Sequence, residues 1–139
     1  MNWAGWALLS ACFAALTAIL AKIGIQGIPS NLAMAVRTTV VLVAAWALVL
    51  ARGEAKGLME LPQKTVLFLV LSGLATGASW MCYFKALALG PVSKVAPIDK
   101  LSFVLAAVLA VVFLREKLTW PLAAGCGLIV AGVLLTLKG

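Results

Sequence analysis

Asp99 and Lys100 stand side by side within the apolar stretch PVSKVAPIDKLSFVLAAVLAVVFL, and no other residues in this chain are as well placed to do chemistry. An ionised side chain is costly in hydrocarbon, so it faces a bundle interior, a wet cavity or a partner. A pair of such charges could couple an ion or hold a polar solute, and it could equally bolt two subunits together. Lys94 lies earlier in the same stretch, with Pro97 between. Counted from Pro91 along a helix, Lys94 is only about 4–5 Å in and can snorkel outward. Asp99 and Lys100 lie about 12 Å and about 13–14 Å in, approaching the middle of a hydrocarbon layer about 30 Å thick. Pro97 cannot donate to the carbonyl of Ser93, which makes it a candidate hinge. Neighbours on a helix are about 100° apart, so Asp99 and Lys100 are expected to point in different directions and either to find separate partners or both to border one wet cavity.

A second set of polar residues precedes this one. Ser72, Thr76, Ser79 and Tyr83 follow one another at spacings of 4, 3 and 4, which places them on one helical face. They either satisfy their hydroxyls on backbone carbonyls and pack closely, or wall a central cavity. Trp80 and Phe84 adjoin this face. Their rings could offer a cationic solute cation–π attraction, or serve as interfacial anchors, a role that also suits Tyr83 and Lys85. Gly73 and Gly77 form a GxxxG pattern that permits close helix approach, within a protomer or between protomers.

Little else in the chain suggests chemistry. There is no histidine, and Cys12, Cys82 and Cys126 each lie inside an apolar run as small packing residues. One deep acid and no nucleophile constellation supply too little for an enzyme. No metal site, cofactor or catalytic residue is expected.

These residues must be positioned by membrane helices. The chain has 139 residues, 65% of them hydrophobic, with 11 basic and 4 acidic side chains. A water-soluble exterior could not be built from such a composition, whereas a bilayer of lipid is a suitable solvent for it. The net charge of +7 does not point to nucleic acid, because the basic residues are scattered at the ends of apolar runs. The fold class is all-α, a polytopic membrane protein with five transmembrane helices in a single membrane domain over residues 1–139. The helices are expected at about 3–23, 32–50, 63–89, 92–114 and 120–137, each near the roughly 20 residues that cross hydrocarbon. The first is read as a retained helix, since no Lys or Arg precedes Lys22. Ser30 or Asn31 is expected to cap the second helix and Thr119 the fifth, while Pro62 suits the first turn of the third. Trp3, Trp6 and Trp120 read as an aromatic belt on the N-terminal side, with Trp46 approaching it.

An odd number of spans puts the termini on opposite sides. The N-terminal side carries Arg52, Lys56, Lys64, Arg115 and Lys117, and the other carries Lys22, Arg37, Lys85 and Lys138, with Lys94 close by. The positive charges are nearly balanced, so they give almost no vote on orientation. Dual insertion is one outcome of such a balance, and two copies in opposite orientations would form an inverted repeat of the kind many transporters use.

The pieces ALALGPVSKVAPI, the small apolar run through Val112, the Glu116-Lys117-Leu118-Thr119 turn and the closing GLIVAGVLLT resemble, in order and spacing, the second half of an EamA-type domain of the drug/metabolite transporter superfamily. The five-helix rhythm extends the resemblance over nearly the whole chain. Such proteins commonly carry two of these domains in a ten-helix carrier, so the resemblance implies that this single domain works as a homodimer, antiparallel in arrangement. It implies export of amino acids or other small metabolites, from a prokaryotic cell (inner) membrane. Glu116 aligns with an acidic residue common before the last helix, a turn residue by this reading, and Arg115 stands where Gly is frequent. The first helix lacks the membrane glutamate of the related small multidrug resistance proteins, which weakens a multidrug-type exporter reading. Lys94 and Lys100 would repel a cation, so a zwitterion or anion fits better, with Lys100 meeting its carboxylate. The expectation is a secondary transporter of small polar metabolites working by alternating access. The alternative is a structural or accessory membrane protein assembled through intersubunit charge pairing.

Overall fold

The computed structural model describes residues 2–138. The protein is all-α. Five helical spans, Trp3–Gly24, Ser30–Ala51, Gln63–Leu89, Val92–Phe113 and Trp120–Lys138, are long and apolar enough to cross a membrane. The first three are single helices, α1 (Trp3–Gly24), α2 (Ser30–Ala51) and α3 (Gln63–Leu89). The fourth is divided into α4 (Val92–Asp99) and α5 (Leu101–Phe113), and the fifth is α6 (Trp120–Lys138). A span of 22 residues such as α1 is about 33 Å long, enough for the hydrocarbon layer.

Local chemistry sets the ends of these helices. Asn2 caps α1, its side-chain carbonyl accepting the Gly5 N–H at 3.0 Å. The chain leaves α1 through Gly27, whose φ of +78° suits a residue without Cβ. The expected caps of α2 at Ser30 or Asn31 are not used. Pro29 takes the cap position with extended φ −59° and ψ 135°, and no side chain bonds there. Its carbonyl accepts the N–H groups of Leu32 at 3.0 Å and Ala33 at 3.1 Å. Ser30 and Asn31 are already inside the helix, where their backbones lack the extended geometry of a capping residue. Pro62 and Thr119 stand just before α3 and α6, their carbonyls accepting from Val66 at 3.1 Å and Ala123 at 3.0 Å.

The polar stretch after α2 is not a plain loop. Gly53 turns the chain at φ +69°, and Glu54–Glu60 forms a 3-10 helix. The large apolar residues of the spans are mostly exposed, and the buried ones among the described residues are Ala18, Ile25, Phe84, Leu87 and Val133. An exterior of this kind is stable only where lipid or another membrane helix covers it.

The described residues fall into two compact units, 2–19 with 89–138, and Leu20–Ala88. In the first, α4 and α5 pack against α6 and against each other. A cleft of about 260 Å³ between α5 and α6 is lined by Ala107, Val111, Leu122 and Cys126. In the second, the 3-10 helix packs on α2. A crevice of about 370 Å³ there is lined by Trp46, Val49, Glu54, Leu58 and Leu61. Trp46 thus lines a crevice with its own loop, while Trp3 (84% exposed) and Trp120 (83% exposed) stand on the first turns of α1 and α6.

Candidate functional site

The interruption of the fourth span is the first candidate. Pro97 has no N–H to give, so the helical ladder loses a rung at Ser93. Three residues later the geometry tightens. The Lys100 N–H bonds to the Pro97 carbonyl at 3.0 Å, and the Phe103 N–H bonds to the Lys100 carbonyl at 3.1 Å. Both are i to i−3 bonds, a short stretch of 3-10 type that often marks a hinge within a helix. Lys100 sits between α4 and α5 with φ −69° and ψ −12°.

This break corrects one expectation. Lys100 Nζ lies 3.5 Å from Asp99 Oδ2, so the two charges meet each other instead of diverging. The 100° separation applies to an unbroken helix. Here Lys100 has left the α-helical ladder, and its long flexible side chain turns back to the carboxylate. The ammonium also lies 5.4 Å from the centroid of the Phe103 ring. The side chains of Lys100 and Asp99 remain 44% and 38% exposed, so the described residues do not bury the pair. Lys94 stands half-buried on the first turn of α4.

On α3 the polar face is partly spent on the helix itself. Thr76 Oγ1 donates to the Ser72 carbonyl at 2.9 Å, the backbone-satisfied state of a membrane threonine. Thr38 and Thr39 on α2 do the same to Met34 and Ala35. Ser72 and Ser79 are exposed, and Tyr83 is half-buried, edge-on to Phe84 at 6.5 Å between centroids. A Cβ built at Gly73 or Gly77 would meet nothing within 4 Å among the described residues.

The aromatic residues are occupied in a way the sequence did not suggest. Arg37 of α2 places its guanidinium carbon 4.4 Å from the Trp80 ring centroid and 5.6 Å from that of Phe84. The rings, read as either a surface for a cationic solute or interfacial anchors, thus hold the chain's own cation. A charged side chain inside a membrane helix costs up to about 2.5–3.5 kcal/mol, and each ring contact returns about 0.5–2 kcal/mol. Lys22 donates to the Leu87 carbonyl in the last turn of α3, where a cation meets the negative end of the helix. Arg37, Lys22 and Phe103 were the site residues not singled out by type or spacing. The signal for Arg37 was depth, since seven residues beyond Ser30 put it about 10 Å into its span, deeper than a helix-end flank.

Among the described residues no group of three or more His, Cys, Asp or Glu is placed to hold a metal ion. The candidates are therefore two, each within its own unit: an interrupted membrane helix with a partly exposed ion pair, and an arginine on aromatic rings. Residues 1–138 match the EamA-like transporter family. The chain belongs to that family.

It is 52% identical over 134 residues to a Sinorhizobium sp protein described as "Uncharacterized transporter in cobO 3'region", an alignment covering 96% of this chain and 95% of that one. No solved structure matches the chain. The five apolar helices accord with an EamA-type half-transporter and an integral membrane protein. The resemblance placed Arg115 where Gly is frequent, and the geometry gives the reason. Arg115 has φ +56°, the left-handed conformation in which a helix commonly ends and which Gly adopts without strain. The following Glu116 N–H returns to the Ala110 carbonyl at 3.2 Å, which gives this residue a place in the turn.

Proposed function

We propose that this chain is a secondary transporter of small polar metabolites, amino acids among them, working as an antiparallel homodimer in a prokaryotic inner membrane. The observation that carries the reading is the broken fourth span with its partly exposed Asp99–Lys100 pair. A break in a spanning helix is tolerated where it borders protein or a wet cavity, and such breaks form binding sites in many carriers. Asp99 and Lys100 are the coupling or binding charges in this scheme, Lys94 adds positive potential, and Pro97 is the hinge. Ser72, Thr76, Ser79, Trp80 and Tyr83 line the path.

The dimer and the single-domain organisation rest on three supports. The Sinorhizobium relative aligns with this chain over 95% of its own length, so that protein is about the size of one such unit. Gly73 and Gly77 leave room on α3 for a partner helix. The basic residues favour neither side of the membrane. The accessory reading needs the charges to pair between chains, and it loses ground because Asp99 and Lys100 pair within one.

The test is flux in proteoliposomes under pH and solute gradients across a metabolite panel. Wild type should move a zwitterionic or anionic solute. Asp99→Asn and Lys100→Met should each abolish flux and leave the dimer intact. Variants that dissociate the dimer instead would favour the accessory role, and a folded wild type that moves nothing would refute transport.

A further inference from the structure

We propose that Arg37, held on Trp80 and Phe84, is an oxyanion-docking residue that receives the carboxylate of a solute. Three cations of the spans, Lys22, Arg37 and Lys100, have their side-chain contacts described. Lys100 is engaged by Asp99, and Lys22 donates to the Leu87 carbonyl. Arg37 alone among these three meets only aromatic rings, 4.4 and 5.6 Å from its guanidinium carbon. Rings compensate charge but supply no acceptor atom, so the N–H fork of the guanidinium still lacks oxygen partners.

The rings also hold the group at depth. Trp80 and Phe84 stand about 13 Å and about 7 Å from the end of α3, and Arg37 about 10 Å from the start of α2. The guanidinium is thus kept near the level of its own backbone instead of snorkelling to the surface. A half-buried, pre-oriented fork of this kind suits a planar carboxylate, which it can bind through two parallel hydrogen bonds. A lipid phosphate offers the same oxygen chemistry, and the experiment separates the two sources. The inference deepens the transport reading and rests on it only for the claim that the bound anion is cargo.

The probe is acetate, with acetamide as the uncharged control. The readout is the nitrogen-labelled indole signal of Trp80, assigned through Trp80→Phe, in nanodiscs of phosphatidylcholine and of phosphate-free galactolipid. Acetate should shift this signal saturably in galactolipid discs, acetamide should not, and Arg37→Gln should lose the response. Arg37→Lys keeps the charge without the fork, and should bind about tenfold more weakly, as expected for one lost charge-assisted hydrogen bond. It also serves if Arg37→Gln does not fold. A signal that differs between the two lipids in wild type, and not in the variants, with no acetate response, would assign the oxyanion to the headgroup and overturn the solute source. A signal indifferent to both acetate and lipid would overturn the docking role itself. No flux is needed for any of these outcomes. Binding without transport would therefore refute the carrier reading alone, and transport unaffected by Arg37→Gln would refute this one alone.

Discussion

Arg115 shows what one residue costs when its backbone conformation is imposed by a turn. At φ +56° its Cβ crowds the backbone, a penalty of about 1–2 kcal/mol that Gly avoids. Arg115→Gly should therefore stabilise the protein by about 1 kcal/mol, and Arg115→Val should destabilise it, as measured by equilibrium unfolding in mixed micelles. The same scale governs the ion pair. Asp99 and Lys100 were legible as functional charges because they interrupt an apolar run. Their mutual contact at 3.5 Å was not, because it depends on where the helix breaks. In the sequence Arg37 is a basic residue that reads as a flank. Only the approach of α2 to α3 placed it on Trp80 and Phe84.

At the scale of elements, the fourth span is the informative one. Pro97 announces a weak point, yet the break falls at Lys100, where the chain re-forms its bonds in the tighter i to i−3 pattern. Pro97→Ala restores the missing N–H and removes a defect worth up to about 3 kcal/mol. Amide exchange across residues 98–103 should slow by at least about tenfold, and flux should fall while the fold is retained. Unchanged exchange would place the flexibility of this span elsewhere. The 3-10 helix Glu54–Glu60 was hidden in a stretch that reads as polar loop. Its Leu58 and Leu61 become meaningful only beside Trp46 and Val49 of α2.

For the whole molecule, the decisive question is what covers the apolar helices. A Cβ at Gly77 meets nothing within 4 Å among the described residues, so Gly77→Leu should leave the protomer folded, and helix propensity favours it by about 1 kcal/mol. If α3 forms the dimer seam, this variant should shift single-molecule photobleaching from two steps towards one. An unchanged distribution would move the seam to another face. A side-specific reporter at the C-terminus should be found on both sides of the membrane in comparable amounts. Near-complete reporting from one side would remove the antiparallel arrangement.

The sequence alone determined that the chain spans a membrane five times, because span length and apolar content follow from bilayer thickness and need no partner. It also determined the family, whose turns and small-residue runs are local patterns. The tertiary structure alone decided which charges are satisfied and by what. Asp99 neutralises its neighbour, Lys22 finds a helix end, and Arg37 rests on two rings. Hydropathy is a property of a segment, whereas the partner of a charge is set by interruptions and helix contacts that the one-dimensional pattern does not contain.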